Sequence, residues 1–174
     1  EKKVKELLTQ TKAFTREEFS RLLFKCHNII RNNDKLSPEA AFDEISKILF
    51  MKIRYERNPD EDNIFTLKQF KKQEVKYEKY DRKVNIELHG TKADIPYVDY
   101  WFELTKAEFK DDELFDPNDK IKIKQASFEA IVAELQIYNL STTSDDIKGI
   151  AFEQFLGRTF RGELGQFFTP RTIV

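Results

Sequence analysis

The feature that most constrains the fold is a pair of consecutive, fully punctuated helix signals near the front of the chain. Thr15-Arg-Glu-Glu18 is a capping box, in which hydroxyl and glutamate each satisfy a backbone N–H that the first helical turn leaves open. Phe19, Leu22, Leu23, Cys26, Ile29 and Ile30 follow, an apolar stripe at the 3.6-residue period. The pattern predicts a helix over 16–32. Asn32-Asn33-Asp34 breaks it and Ser37-Pro38 opens another, with proline where a helix does not need its N–H. Ala41, Phe42, Ile45, Ile48, Leu49 and Ile53 then line one side, predicting a helix to about 57. Two amphipathic helices in a row must be covered by further apolar elements. A mainly α fold, a multi-helical bundle, is the expectation.

The rest of the chain continues the pattern. Thr66 can cap a third helix through about Tyr80. Lys83 to Ile95 is ambiguous, a short strand around Val84–Leu88 or an irregular insert over 84–95. Pro96 opens a helix carrying Val98, Trp101, Phe102, Leu104 and Phe109, and an acidic loop follows at 111–119. Ser127-Phe-Glu-Ala opens a short helix with Ile131, Val132, Leu135 and Tyr138, and Ser144-Asp-Asp opens the last full one, ending near Gly162. Only five glycines and five prolines serve the whole chain, too few for the many turns of a β-sandwich or barrel. With 40% hydrophobic residues and sixteen phenylalanines, it can bury enough apolar surface to order itself. The expected division is a leading helix or linker over 1–14, a helical domain over 15–162, and the start of a second domain over 163–174. The front begins without methionine in a helical pattern, Val4, Leu7 and Leu8, and Thr169-Pro170 has the form of a helix start near the other end. Together they suggest a piece of a longer protein.

Charge narrows the partners. Thirty basic and 31 acidic residues leave a net charge of −1, so no overall field draws the chain to nucleic acid or anionic lipid. Contact with either must be local. No apolar run approaches the ~18 residues of a membrane span, and without a secretion segment a cytoplasmic protein with no membrane partner is expected. The segment 68–83 carries seven basic residues against three acidic, with Tyr77 and Tyr80 between them. Lys68, Lys71, Lys72, Lys76 and Lys79 could track a DNA backbone. They could equally form a solvated helix face, with Glu–Lys pairs or with the seven acids of 103–119 opposite.

Few residues suggest chemistry in their own right. Cys26 is the only cysteine and stands beside His27, but no C-x-x-C or H-x-x-x-H spacing accompanies them, so no metal site and no catalytic residue is expected. Cys26 lies on the apolar stripe and is expected in the core. No carboxylate pair stands in an apolar setting of the kind that raises a pKa for acid–base work, and the carboxylates are expected to serve solubility. Asp116-Pro117 and Asn58-Pro59 are expected to be turns.

The strongest signal is C-terminal. Gly149-Ile-Ala-Phe-Glu-Gln-Phe155 is followed by Gly165-Gln-Phe-Phe-Thr-Pro-Arg171. A glycine-bounded loop hands two aromatics to a new helix N-terminus, whose free N–H groups can receive a carboxylate or phosphate. The plainer alternative is a turn that packs its own phenylalanines.

This block resembles the approach to the catalytic domain of adenine-N6 DNA methyltransferases: the modification (M) subunit of type I restriction–modification systems, and the related fused restriction–methylation enzymes. The helical region at Cys26–Asn33 and Ser37–Phe50 is also similar. The resemblance implies that Gln166, Phe167, Phe168, Thr169, Pro170 and Arg171 border an S-adenosylmethionine pocket. It further implies that DNA and specificity (S) and restriction (R) subunits or domains are the partners. The family's Asp-Pro-x-x-Gly-x-Gly loop and Asn-Pro-Pro-aromatic tetrapeptide are not in this chain. In the family the tetrapeptide holds the extruded adenine, so the resemblance implies a non-catalytic N-terminal part that clamps DNA or docks the specificity subunit. The rival reading is a helical module that binds a partner protein through phenylalanine-rich grooves.

Overall fold

The first capping box forms as its sequence dictates. Thr15 Oγ1 accepts from Glu18 N at 3.1 Å and Glu18 Oε1 accepts from Thr15 N at 3.0 Å, opening helix α1, Arg16–Asp34. The computed structural model describes residues 11–60, 63–70, 83–88, 90–144 and 146–147. Ahead of α1, Lys12–Ala13 forms strand β1. Of the expected leading helix or linker over 1–14, the described residues are 11–14, with Lys12–Ala13 in this strand and Phe14 buried in the core. Lys35, at φ 56°, ends α1 in the left-handed region, its N–H returning to Ile30 O. Ser37 Oγ accepts from Ala40 N at 3.2 Å, and helix α2 runs from Pro38 to Arg57. Asn58 closes it, donating its N–H to Arg54 O and Tyr55 O.

Thr66 does begin a helix. Its hydroxyl accepts from Gln69 N at 3.2 Å, and α3 is described over Leu67–Phe70; the rest of its expected span lies outside the described residues. The ambiguous stretch is an antiparallel hairpin. Strand β2, Lys83–Leu88, pairs with β3, Thr91–Pro96, in a register that sets Ile86 opposite Ala93 and Leu88 opposite Thr91. Gly90 turns between them at φ 82°, a conformation that glycine adopts without the Cβ clash. Helix α4, Tyr97–Glu108, follows Pro96 at once, and a single 3-10 turn covers Lys110–Asp112.

The next helix departs from expectation. α5 covers Gln125–Leu135 with Lys124 at its N-cap, so Ser127 does not open it. Ser127 is fully buried and donates to Asp34 Oδ2 at 2.6 Å, while Asp34 Oδ1 accepts from Lys124 N at 2.8 Å. The carboxylate that ends α1 thus caps α5 across space, beside the partial positive charge of that helix's first turn. The short strand β4, Tyr138–Asn139, then lies parallel to β1.

The result is a mainly α fold with two small sheets. α1 packs on α2 and α5, α4 covers the other side of α2, α3 seats on α5, and the hairpin leans on α4. Aromatic side chains fill the middle. Phe70 meets Trp101 at 4.7 Å between ring centroids, edge-on, and Phe128 at 4.9 Å. Phe50 meets Phe109 at 5.0 Å in the same geometry, an arrangement that adds about 0.5–1.5 kcal/mol per pair to the apolar area buried. At the β1–β4 junction Phe14 stacks on Tyr138 at 3.9 Å, and Phe14 N donates to Thr143 Oγ1 at 2.9 Å. Among the described residues, no helix is long and apolar enough to cross a membrane.

Candidate functional site

α2 is where polar chemistry enters the core. Glu44, Lys47 and Lys52 are 1%, 4% and 2% exposed, although isolated charges at such depth are strongly disfavoured. Each is occupied. Lys47 Nζ pairs with Glu44 Oε2 and donates to Lys120 O at 2.8 Å, while Glu44 Oε1 accepts from Lys122 N at 2.7 Å and Ile123 N at 3.3 Å. From α4, Lys106 Nζ donates to Pro117 O and Asp119 O, both at 2.8 Å, and pairs with Glu103. The loop over 117–123 carries no regular structure, and these side chains satisfy the backbone groups that would otherwise go without partners.

A second ion pair organises the other end of α2. Lys52 Nζ lies 3.3 Å from Glu56 Oε2 and 4.9 Å from the centroid of the Phe65 ring. Glu56 also accepts from Leu140 N at 3.0 Å and from both Ser141 N and Ser141 Oγ at 2.8 Å. Burial pushes the Lys52 amine below its ordinary value, against the pull of Glu56. These glutamates overturn the expectation that the carboxylates serve solubility alone. Burial likewise raises the carboxyls of Asp43 and Asp99. At the surface Glu18 goes the other way, held down to about 2, first by the Thr15 N–H and then by Lys12. Its native contacts are therefore complete above its ordinary pKa of 4.5 and lost as pH falls towards 2.

The expected core position of Cys26 is observed: it is fully buried, and burial pushes its thiol up to about 12, which leaves it without thiolate character at neutral pH. Partial burial and Arg31 hold the His27 imidazole below its ordinary value. Asp116-Pro117 forms the expected turn, whereas Asn58-Pro59 is the bend that ends α2 and not a turn. Asp116 Oδ1 accepts from Asn118 N at 2.8 Å and Asp116 O from Asp119 N at 2.9 Å, while Asn58 terminates α2.

Of the expected DNA-contacting residues, Lys68 is described and exposed on α3; Lys71, Lys72, Lys76 and Lys79 lie outside the described residues. Its platform is firmly held. Leu67 N donates to Gln136 Oε1 at 2.8 Å, Gln69 Nε2 to Tyr97 OH at 2.7 Å, and Tyr97 OH to Asn63 Oδ1 at 2.6 Å. Phe70 is fully buried, so Leu67, Gln69 and Phe70 on either side of Lys68 are tied down while Lys68 is exposed. The expected cofactor edge, Gln166, Phe167, Phe168, Thr169, Pro170 and Arg171, lies outside the described residues.

Two concavities open on the surface, one beside the N-terminal half of α2 and one beside α4. One, of about 210 Å³, is lined by Asp43, Glu44, Lys47, Asp119 and Lys122 with apolar neighbours. A larger cleft of about 580 Å³ opens between the hairpin and the C-terminal end of α4, over Leu88, Ala107, Phe109, Phe115 and Pro117. Neither was foreseen from sequence. The buried charges of α2 did leave a sequence signal: Phe50 and Met51 fall off the Ala41–Ile53 stripe and mark a helix buried on more than one side. No protein-family model, curated protein or solved structure matches the chain.

Proposed function

We propose that the chain is the N-terminal helical part of an S-adenosylmethionine-dependent adenine-N6 DNA methyltransferase of a cytoplasmic restriction–modification system. Its task there is to clamp DNA or to dock the specificity subunit, with methyl transfer performed by a catalytic domain downstream in the parent protein. The observation that carries the reading is the seven-residue run Gly165-Gln-Phe-Phe-Thr-Pro-Arg171, where Gln166–Arg171 would border the cofactor. The mainly α fold is compatible with it. The clamping role draws on α3, whose anchored turn presents Lys68 at the head of the basic segment. The rival reading, a helical protein-interaction module, draws on the 580 Å³ cleft.

Fluorescence anisotropy with duplex DNA separates the two. On the methyltransferase reading the chain binds weakly and without sequence preference, and log Kd changes with log salt by roughly 0.9 per phosphate contacted. Reversing Lys68, Lys71, Lys72, Lys76 and Lys79 to glutamate abolishes that binding. If the reversed variant binds DNA as well as the parent, the clamping role is wrong.

A further inference from the structure

We propose that the cleft between the β2–β3 hairpin and the C-terminal end of α4 is a docking surface for a short basic amphipathic segment of a partner protein. The inference stands apart from the methyltransferase reading, since it uses neither the C-terminal run nor the basic segment. Its volume, about 580 Å³, falls in the ~300–1,000 Å³ range of clefts that enclose sizeable groups. The floor is apolar, with Leu88 from the hairpin facing Ala107, Phe109 and Phe115. That floor suits a large aliphatic or aromatic anchor, the kind of group that supplies most of the energy at protein interfaces.

The rim selects the partner's charge. Glu87 and Glu113 line the cleft and are exposed, and Asp111, Asp112 and Asp116, also exposed, are chain neighbours of the lining residues Lys110, Glu113, Phe115 and Pro117. Of the lining lysines, Lys106 is engaged by Glu103 and by two carbonyls, so Lys110 faces a surplus of carboxylates. Such a rim attracts lysine and arginine and repels phosphate, which favours a basic peptide over nucleic acid or an anionic membrane. Glu113 sharpens the point. It sits at φ 52° at the end of the 3-10 turn, a left-handed position that glycine would fill with less strain, yet a carboxylate is placed there, on the cleft edge.

The probe is a labelled helical peptide of about 16 residues with leucines at i, i+3, i+4 and i+7 and lysines elsewhere, titrated with the 174-residue chain by fluorescence anisotropy. Its counterpart carries glutamate in place of every lysine. The lysine peptide is expected to bind, more weakly as salt rises, and the glutamate peptide not to bind. Ala107→Arg, at an exposed position on the cleft wall, should weaken binding about tenfold with the circular dichroism spectrum unchanged. Glu113→Gly removes one rim charge from a strained position and should weaken it about threefold. The proposal is overturned if both peptides bind alike, if neither binds, or if Ala107→Arg and Glu113→Gly both leave the affinity unchanged. Duplex DNA that displaces the lysine peptide from the parent chain by occupying the cleft, and fails to do so with Ala107→Arg, would overturn it in favour of nucleic acid.

Discussion

α1 and α2 are consecutive helices of nearly equal length, 19 and 20 residues, with similar N-terminal punctuation, and they do opposite things with their charges. On α1 the charged residues stay outside. Arg16, Glu17, Arg21, Lys25 and Arg31 are exposed, and the apolar stripe from Phe19 to Ile30 turns inward. On α2 the apolar residues wrap around the helix, and Glu44, Lys47, Lys52 and Glu56 are drawn in with them. The difference comes from what packs on each helix. α1 faces α2 and α5, whereas α2 meets α1 on one side and α4 on another and lies under the 117–123 loop. What the contrast teaches is that a charge at helical spacing does not report its own burial. Its partners on distant loops decide it: Lys120, Lys122 and Ile123 for the first pair, Leu140 and Ser141 for the second.

The largest effect that would break this contrast is expected at Glu56. Glu56→Ala leaves the Lys52 ammonium buried without its carboxylate and strips an acceptor from Leu140 N, Ser141 N and Ser141 Oγ. A loss of about 3–5 kcal/mol is expected in urea unfolding, the usual cost of breaking a buried ion pair by removing one partner. A loss no greater than a surface substitution gives would place Lys52 in contact with water after all. A smaller effect of opposite sign is expected inside the same helix. Ser46 is fully buried, and its hydroxyl has no hydrogen-bond partner among the described residues, so Ser46→Ala should raise stability by about 1 kcal/mol, as relief of an unpaired buried polar group. Thermal denaturation reads it directly, and a fall in Tm would mean that the hydroxyl is bonded.

Much of this architecture was legible in the residues because it is local. Both helix starts of the leading pair, the end of α2 near 57, the start after Pro96 and the core position of Cys26 follow from capping and period, and each is observed. What could not be read is set by tertiary contact. Lys83–Pro96 alternates weakly and becomes a hairpin because Gly90 permits the turn and α4 offers a face. Ser127 has the sequence of a helix cap, yet Asp34, 93 positions away, takes its hydroxyl. Candidate site residues divide the same way. Lys68 is exposed, as a nucleic-acid contact requires, whereas the hairpin–α4 cleft joins positions from 87 to 117, which no motif within one segment could reveal.

The contrast between the two helices is tested most directly by paired double-mutant cycles. One cycle spans Glu44 and Lys47 on α2, the other Lys25 of α1 and Glu134 of α5, whose charges also meet, at 2.8 Å, but at the surface. In each, the amine is replaced by methionine and the carboxylate by glutamine, singly and together, and unfolding is followed in urea. Lys47→Met alone should cost about 3–5 kcal/mol, and much less when Glu44 is already glutamine. The Lys25 and Glu134 variants should leave the urea midpoint where it was. If the two cycles return the same coupling, burial does not distinguish the charges of α2 from those of α1, and the account of α2 as the helix that holds the loops in place is contradicted.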